Sequence, residues 1–458
     1  MFLPRMTHRI RAFFGSIPLN ILLVGKGGRE HAIAWKISRS PILSELYLWP
    51  GNPVSVALGT PADLPASASF SQLAVWAKNH AVDLVISGPE APLSEGLADV
   101  MAEHGIPVFG PRQAGAMLEA SKAFAKEVMQ AAGVPTAASR LVTGENECRQ
   151  VALVMLKETG GTVLKASGLA AGKGVFVCTT EAEIEEGLRH LYHSDMSTAA
   201  EKVVVEEILH GRECSYFTFI GDGESRGLGF AVDFKRLQDG NKGPNTGGMG
   251  SYTPVPWLPV NAGKKVEDLV VRPLMKELAK RDIPYTGCLY VGLMWHPAKG
   301  PQVVEFNVRL GDPEAQILAV YDDRDWLALM ADRAGLTLPA AAASDLNRSV
   351  AHDDKVVGVV LASDTYPYGK DAGATGELPA ALFAGEQNFV VFAASVAAGG
   401  NGGFVSATGR VLTVVGRGTD FAAARKKAYD GVAAVRRTWT GCHFRNDIAL
   451  NAQAPLDL

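Results

Sequence analysis

Between residues 20 and 111 the chain repeats one pattern, a short apolar run followed by a turn rich in glycine, proline or a polar residue. Residues 20–24 (NILLV) lead through Gly25-Lys26-Gly27-Gly28-Arg29-Glu30-His31 into a helical AIAWKI; residues 46–48 run on to Pro50-Gly51-Asn52, 83–87 to Gly88-Pro89-Glu90, and 107–109 to Gly110-Pro111. Strand, loop and helix in this order make an open, mostly parallel α/β sheet whose loops gather into one ligand crevice at the strand carboxyl ends. The pattern predicts that Gly27, Gly28, Arg29, Glu30, Asn52 and Glu90 lie together. Glycines at the first turn let backbone N–H groups approach a phosphate, and a helix start favours negative charge. A loop of this kind also occurs where the chain simply turns.

The second informative stretch is VVEFNVRLGDPEAQ, residues 303–316. A period of two puts Glu305, Asn307 and Arg309 on one face of a strand and Phe306, Val308 and Leu310 on the other. A carboxylate and an amide oxygen two residues apart suit a hard cation such as Mg²⁺, and Arg309 can neutralise an oxyanion beside it. Gly311-Asp312-Pro313-Glu314 predicts a turn whose proline starts a helix facing the same place. Three alternating polar residues alone equally describe an edge strand with a solvated face.

Between these stretches, residues 114–132 predict a helix carrying Lys122 and Lys126, stopped by Gly133-Val134-Pro135. The strand TVLK at 162–165 enters Ala166-Ser167-Gly168-Leu169-Ala170-Ala171-Gly172-Lys173-Gly174, followed by the strand VFVC. A glycine-rich hairpin with Lys165 at its base and Lys173 at its tip, lying between strands, is a flap able to close over phosphates and not a Walker A loop. The strand KVVVEE at 202–207 ends in a connector before Glu213, where backbone groups can read a base edge and the carboxylate can hold ribose hydroxyls. Asp233-Phe234-Lys235-Arg236 precedes residues 243–252 (GPNTGGMGSY), whose four glycines in ten residues permit close backbone approach to a ligand. Strand LYVGLMW is predicted to pair with residues 302–310.

A chain of 458 residues has material for about three domains. The formal charge of −4 and pI near 6.2 give no electrostatic case for nucleic acid. Five cysteines, widely spaced and free of C-x-x-C, argue against a disulfide framework or zinc site and favour a reducing, cytoplasmic setting. No apolar run reaches the roughly 18 residues of a membrane span. Residues 1–19, with Arg5, Arg9 and Arg11 and no acid, read as an extension.

In order along the chain, the blocks GKGGREHA, GPEAPL, VFGP, SKAFAKE, KASGLAAGKGV, EEILHGRE, GPNTGGMGSY, YTGCLYVGLM and EFNVRLGDPE resemble the phosphoribosylamine–glycine ligase (glycinamide ribonucleotide synthetase) family, which has the ATP-grasp fold. The resemblance runs from about Asn20 to Asp447. It implies an N-terminal Rossmann-like domain at 20–120, a central ATP-grasp domain at 121–345 with a flap at about 142–208, and a small mixed α/β domain at 346–458. It implies a reaction of purine biosynthesis in which ATP and glycine form glycyl phosphate, which the amine of 5-phosphoribosylamine attacks. The products are glycinamide ribonucleotide, ADP and phosphate.

By the family pattern Lys122, Lys165, Gly172 and Lys173 face ATP phosphates, Glu206, Glu207 and Leu209 flank adenine, Glu213 takes the ribose, and Glu305 and Asn307 hold Mg²⁺ or Mn²⁺. Arg309, Asp233 and Lys235 with Asn245, Thr246, Gly247, Gly248 and Asp312 surround the carboxylate and its acyl phosphate, and Gly27, Gly28, Arg29, Glu30, Asn52 and Glu90 face the acceptor. The resemblance implies a monomer or weak homodimer using small-molecule substrates, with no nucleic-acid or membrane partner. The chain departs from the pattern at Trp49, where the family has Ala, at Phe234, where it has His, at Tyr368, where it has Gly, and at Phe392-Ala393-Ala394-Ser395-Val396, where it has Phe-His-Ala-Gly-Thr. These changes predict a remodelled rim around the acceptor, which a paralogous ligase joining a small amino acid to a different amine would show. A dinucleotide oxidoreductase fails because no ribose-reading acid stands near residues 47–49, and a non-catalytic nucleotide binder leaves Lys122, Lys165, Glu305, Asn307 and Arg309 without a purpose.

Overall fold

The computed structural model describes residues 18–168, 174–194, 200–350, 352–371, 373–384 and 388–456. Gly172, Lys173 and residues 1–17 of the extension lie outside the described residues. The N-terminal pattern folds as its periodicity dictates. Strands β1 (Leu19–Gly25), β2 (Leu43–Pro50), β3 (Thr60–Pro61), β4 (Leu84–Ser87) and β5 (Val108–Phe109) form a five-stranded sheet in the order β3-β2-β1-β4-β5, every pair parallel. Helix α1 (Gly28–Ile37) follows β1 directly. Gly25 adopts φ +125°, and a Cβ there would sit 2.4 Å from Glu30 Cγ, so the strand-to-helix turn requires glycine.

The helix predicted over 114–132 is two helices, α2 (Gln113–Ala120) and α3 (Lys122–Ala132). Ser121 breaks the run by taking extended φ/ψ, its hydroxyl accepting from the Phe124 N–H at 3.2 Å as the N-cap of α3. The next strands, β6 (Ser139–Thr143), β7 (Thr162–Ala166), β8 (Val175–Cys178) and β9 (Lys202–Glu207), form an antiparallel sheet in the order β6-β9-β7-β8. Helices α4 (Glu145–Thr159) and α5 (Glu181–Tyr192) pack on it. This flap has its own core, including Val142, Cys148, Leu164, Ile184 and Val205.

The central section supplies β10 (Arg212–Gly221), β11 (Glu224–Asp233), the two-stranded β12 (Arg236–Gln238) and β13 (Lys242–Asn245), β14 (Gly250–Thr253), β15 (Gly287–His296) and β16 (Gly300–Asn307), then helix α6 (Glu314–Tyr321). The third section adds β17 (Lys355–Ser363), a small sheet of β18 (Glu377–Leu378), β20 (Val396–Ala398) and β21 (Phe404–Ser406), then β19 (Phe389–Ala393), β22 (Arg410–Gly418), helix α7 (Phe421–Arg436) and β23 (Cys442–His443). Its main strands continue the central sheet. The order is β16-β15-β10-β11-β14-β17-β22-β19, with β14 pairing β17 from Gly250↔Val359 to Thr253↔Val356 and β23 added beside β17. All five cysteines are unpaired thiols, and no described helix is long and apolar enough to cross a membrane.

The predicted pairing of LYVGLMW with 302–310 forms, but it ends at Tyr290↔Asn307, because the next N–H, of Val308, donates to the Glu119 carboxylate at 2.8 Å instead of to a strand. The strict alternation also fails at one point. Gly292 pairs with Glu305 and Leu293 with Val303, which leaves Val304 bulged with a carbonyl free for another partner.

Candidate active site

Two groups of side chains meet where β16 ends. On one side, β7 and β9 present Lys165 and Glu206, adjacent strands of the flap sheet. Glu206 is 3% exposed, yet it holds two ammonium groups, Lys165 Nζ at 2.8 Å and Lys126 Nζ at 3.2 Å. Lys126 also donates to Thr136 Oγ1 at 2.7 Å, and Lys165 reaches the bulged Val304 carbonyl at 3.1 Å. Lys122 opens α3, which is tied to the flap base by its own N–H on the Ser167 carbonyl at 2.9 Å. Burial draws the Lys122 ammonium below its ordinary range, opposed chiefly by Glu305.

Glu305 answers those lysines. Burial alone pushes its carboxyl up, but Lys235, Lys165, Lys122 and Arg309 together hold it below the usual carboxylate range. An ionised carboxylate and the Asn307 amide oxygen on one strand face make a hard-oxygen pair. Among the described residues no group of three or more His, Cys, Asp or Glu encloses a metal.

Arg309 links the two sides. Its guanidinium donates to Asn307 Oδ1 at 3.1 Å, pairs with Glu119 Oε1 at 2.7 Å and reaches Glu90 Oε2 at 3.2 Å. Beyond it lies the N-terminal loop. Arg29 pairs with Glu30 at 2.7 Å and donates to the Leu310 carbonyl at 3.0 Å. Glu30 itself points inward and accepts from the Gly27 N–H at 2.5 Å, so it shapes the loop from within. Asn52 is likewise occupied. Its amide donates to the Lys26 and Ala393 carbonyls, both at 3.2 Å, and its oxygen accepts from the Val54 and Ser55 N–H groups.

The turn after β16 places Asp312 within reach of Gln316 Nε2 at 2.8 Å and Arg410 Nη1 at 3.6 Å. The glycine-rich segment lies against it. Gly248, at φ +115°, would put a Cβ 2.8 Å from Asp233 Oδ1 and 2.7 Å from Pro313 Cδ, so only glycine allows this approach. Asp233 Oδ1 is buried with no hydrogen-bond partner. Burial and the neighbouring Glu314 carboxyl push Asp233 well above the usual carboxylate range, against Lys235. Lys235 pairs with Glu213. Leu209 is half-buried in the connector after β9, Asn245 is exposed beside Arg236, and the Glu207 carboxylate turns aside to the Ala138 N–H at 2.9 Å.

Three family models cover this frame. They match the N domain, the ATP-grasp (A) domain and the C domain of phosphoribosylglycinamide synthetase at residues 19–119, 120–315 and 356–451. The chain belongs to the phosphoribosylglycinamide synthetase family. It is 39% identical over 441 residues to the phosphoribosylamine–glycine ligase of Rhizobium meliloti (strain 1021), spanning 95% of this chain and 99% of that protein. It is 40% identical over 441 residues to the ligase of Phenylobacterium zucineum (strain HLK1), with the same coverage. The crystal structure of the Thermotoga maritima phosphoribosylamine–glycine ligase superposes with a TM-score of 0.76 at 31% identity, over 94% of this chain and 100% of that one. A biotin carboxylase from Campylobacter jejuni in complex with β,γ-ATP shares the fold at 16% identity and TM-score 0.67, over 95% of this chain and 94% of that one. The chain is an ATP-dependent ligase.

Within this family the predicted remodelling of the rim needs correction. Trp49 is buried, its indole N–H on the Pro65 carbonyl at 3.2 Å. The Phe234 ring lies under the Arg445 guanidinium at 4.9 Å and 6.2 Å from Tyr252. Ala393 is fully buried, and its N–H donates to His31 Nδ1 at 2.8 Å. Trp49 and Ala393 therefore pack in the interior, whereas Phe234 is half-buried between the site residues Asp233 and Lys235. The structure also brings in residues the sequence reading left out. Glu119, Lys126 and Glu314 carry a faint signal, since each stands within four residues of a named site residue. Arg410 and Tyr366 carry none, because only tertiary folding brings the third section here.

Proposed function

We propose that the chain joins glycine to the amine of 5-phosphoribosylamine, consuming ATP and releasing glycinamide ribonucleotide, ADP and phosphate in purine biosynthesis. The observation that carries this reading is the position of Arg309, one side chain touching both Asn307 of the oxygen pair and Glu90 of the N-terminal crevice. A carboxylate seated there lies between a nucleotide on the lysine side and an amine on the loop side.

Lys122 and Lys165 neutralise the phosphates, and Arg309 with Lys235 draws the substrate carboxylate in line with the terminal phosphorus. A glycine oxygen forms the new P–O bond as the bond to ADP breaks. The amine then forms the C–N bond, and phosphate departs with the C–O bond. Glu305 and Asn307 fit Mg²⁺ or Mn²⁺, which supplies Lewis-acid polarisation of the phosphates when bound.

The test is ADP release with ATP and Mg²⁺, comparing glycine alone, glycine with freshly generated 5-phosphoribosylamine, and other small amino acids and amines, with products identified by mass. Turnover that requires both substrates and yields glycinamide ribonucleotide supports the reading. Turnover only with another pair overturns it.

A further inference from the structure

Gly247 is gripped through both of its backbone polar groups, one in each flanking peptide, by the third section of the chain. Its N–H donates to the Tyr366 hydroxyl at 2.8 Å, and its carbonyl accepts from Arg410 Nη1 at 2.5 Å. The same Arg410 nitrogen also donates to the Asp312 carbonyl. A Cβ on Gly247 would stand 3.0 Å from Arg410 Cζ and Nη2, so the guanidinium lies flat against the loop. The rest of the loop is fixed from below. Thr246 donates through its N–H and its hydroxyl to the Lys235 carbonyl, each at 2.8 Å, Gly248 N–H donates to Thr246 Oγ1 at 3.0 Å, and Met249 N–H donates to the Phe234 carbonyl at 2.8 Å.

We propose that Arg410 and Tyr366 are positioning residues for the ligation, a two-point clamp by which the C-terminal section sets the loop at the amino-acid site and, through Arg410, joins it to the Asp312 turn. The proposal rests on the function given above and extends it to two residues that touch neither nucleotide side chains nor the oxygen pair. Arg410 begins β22, and Tyr366 follows β17 by three residues. Both strands belong to the continuous sheet, so the clamp has a rigid base. The two N–H groups of one Nη1, fixed in the guanidinium plane, span two carbonyls on different loops, which a freely rotating, more strongly hydrated ammonium holds less well.

The two contacts divide the predictions. The Tyr366 hydroxyl accepts from Gly247 and, among the described residues, makes no hydrogen bond to the Asp312 turn, so Tyr366→Phe raises KM for the amino acid about three- to tenfold, the range for one lost neutral hydrogen bond, and leaves KM for ATP and for the acceptor unchanged. Arg410 meets Gly247 and the Asp312 turn, and the Asp312 carboxylate stands 3.8 Å and 3.7 Å from where a Cβ on Gly27 and Gly28 of the acceptor loop would lie, so Arg410→Lys raises KM for both amino acid and acceptor, about tenfold or more, again without effect on ATP. Hydrogen exchange supplies a readout that needs no turnover, because the Gly247 amide loses protection in Tyr366→Phe while the amides of β17 and β22 keep theirs.

Unchanged amino-acid KM in both folded variants overturns the clamp. So does a uniform loss across all three substrates with a lowered Tm, which marks a merely structural role. If the wild-type enzyme turns over a different amino acid, the proposed substrate falls, while the same KM split measured with that amino acid and the Gly247 exchange still decide the clamp.

Discussion

The nucleotide side of the crevice is built by side chains reaching one another across neighbouring strands, whereas the amino-acid and acceptor side is built by side chains that hold main-chain carbonyls of distant parts of the chain. Lys165 and Glu206 meet because β7 pairs β9, and Glu305 meets them from β16. The other side depends on Asn52 holding Ala393, Arg29 holding Leu310 and Arg410 holding Gly247 and Asp312. The first kind of site keeps its geometry as long as its strands pair. The second depends on all three sections being docked, so its geometry can be lost while each section stays folded.

The most severe way to break the nucleotide side is to remove its buried anion. Glu206→Gln leaves Lys126 and Lys165 facing one another without a counter-charge, and such a loss costs about 3–5 kcal/mol. Urea unfolding should show it as a lower midpoint, and ATP protection should weaken with it. A stability unchanged within error would mean that the lysines find water or another partner. Glu305→Ala acts on function more than on folding. ADP release should fall about 10²–10³-fold, the scale of one lost electrostatic stabiliser, and survival of turnover with unaltered Mg²⁺ dependence would remove Glu305 from the metal pair.

These two residues also show what a sequence can disclose. Glu305 and Asn307 read as neighbours because a strand of period two places them so, while Arg309, past the end of β16, joins them through its bond to Asn307 Oδ1, and the parallel N-terminal sheet reads from its repeated strand-turn units. The Val304 bulge does not read, since it depends on how β16 registers with β15. Nor does the break at Ser121, where a helical run of apolar spacing is overruled by a cap and by the bond from the Lys122 N–H to Ser167. Trp49 misleads for a related reason. It stands beside a loop of the crevice, but its indole turns into the core. Arg410 lies more than 160 residues from Gly247 (|i−j| = 163), and no local pattern announces such a pair.

On the acceptor side, the joint between the first and third sections can be tested by pH. His31 is buried with its Nδ1 accepting from the Ala393 N–H, a bond that only the unprotonated nitrogen can accept, and burial lowers its pKa from 6.5 to about 4. The native state therefore favours the neutral ring, while the unfolded chain takes up a proton below about 6.5. Between these values the unfolded state binds more protons, so the contribution of His31 is complete above pH 6.5 and fades as pH falls toward 4. His31→Asn should flatten that part of the pH dependence relative to wild type. Parallel curves for the two proteins would place His31 in a solvated or flexible joint.

The mildest test bears on the residue whose side chain the structure moves from rim to core. Trp49→Phe keeps an aromatic ring in the cluster but deletes the indole N–H that reaches Pro65, leaving one carbonyl without its partner. The loss should be about 1 kcal/mol in stability, seen as a small shift in the urea midpoint. Because the ring is buried in the core cluster with its N–H on Pro65, KM for the acceptor should not move. A selective rise in acceptor KM at unchanged stability would restore Trp49 to the crevice wall, and the acceptor side would then owe its specificity to a side chain instead of to its docked main chain.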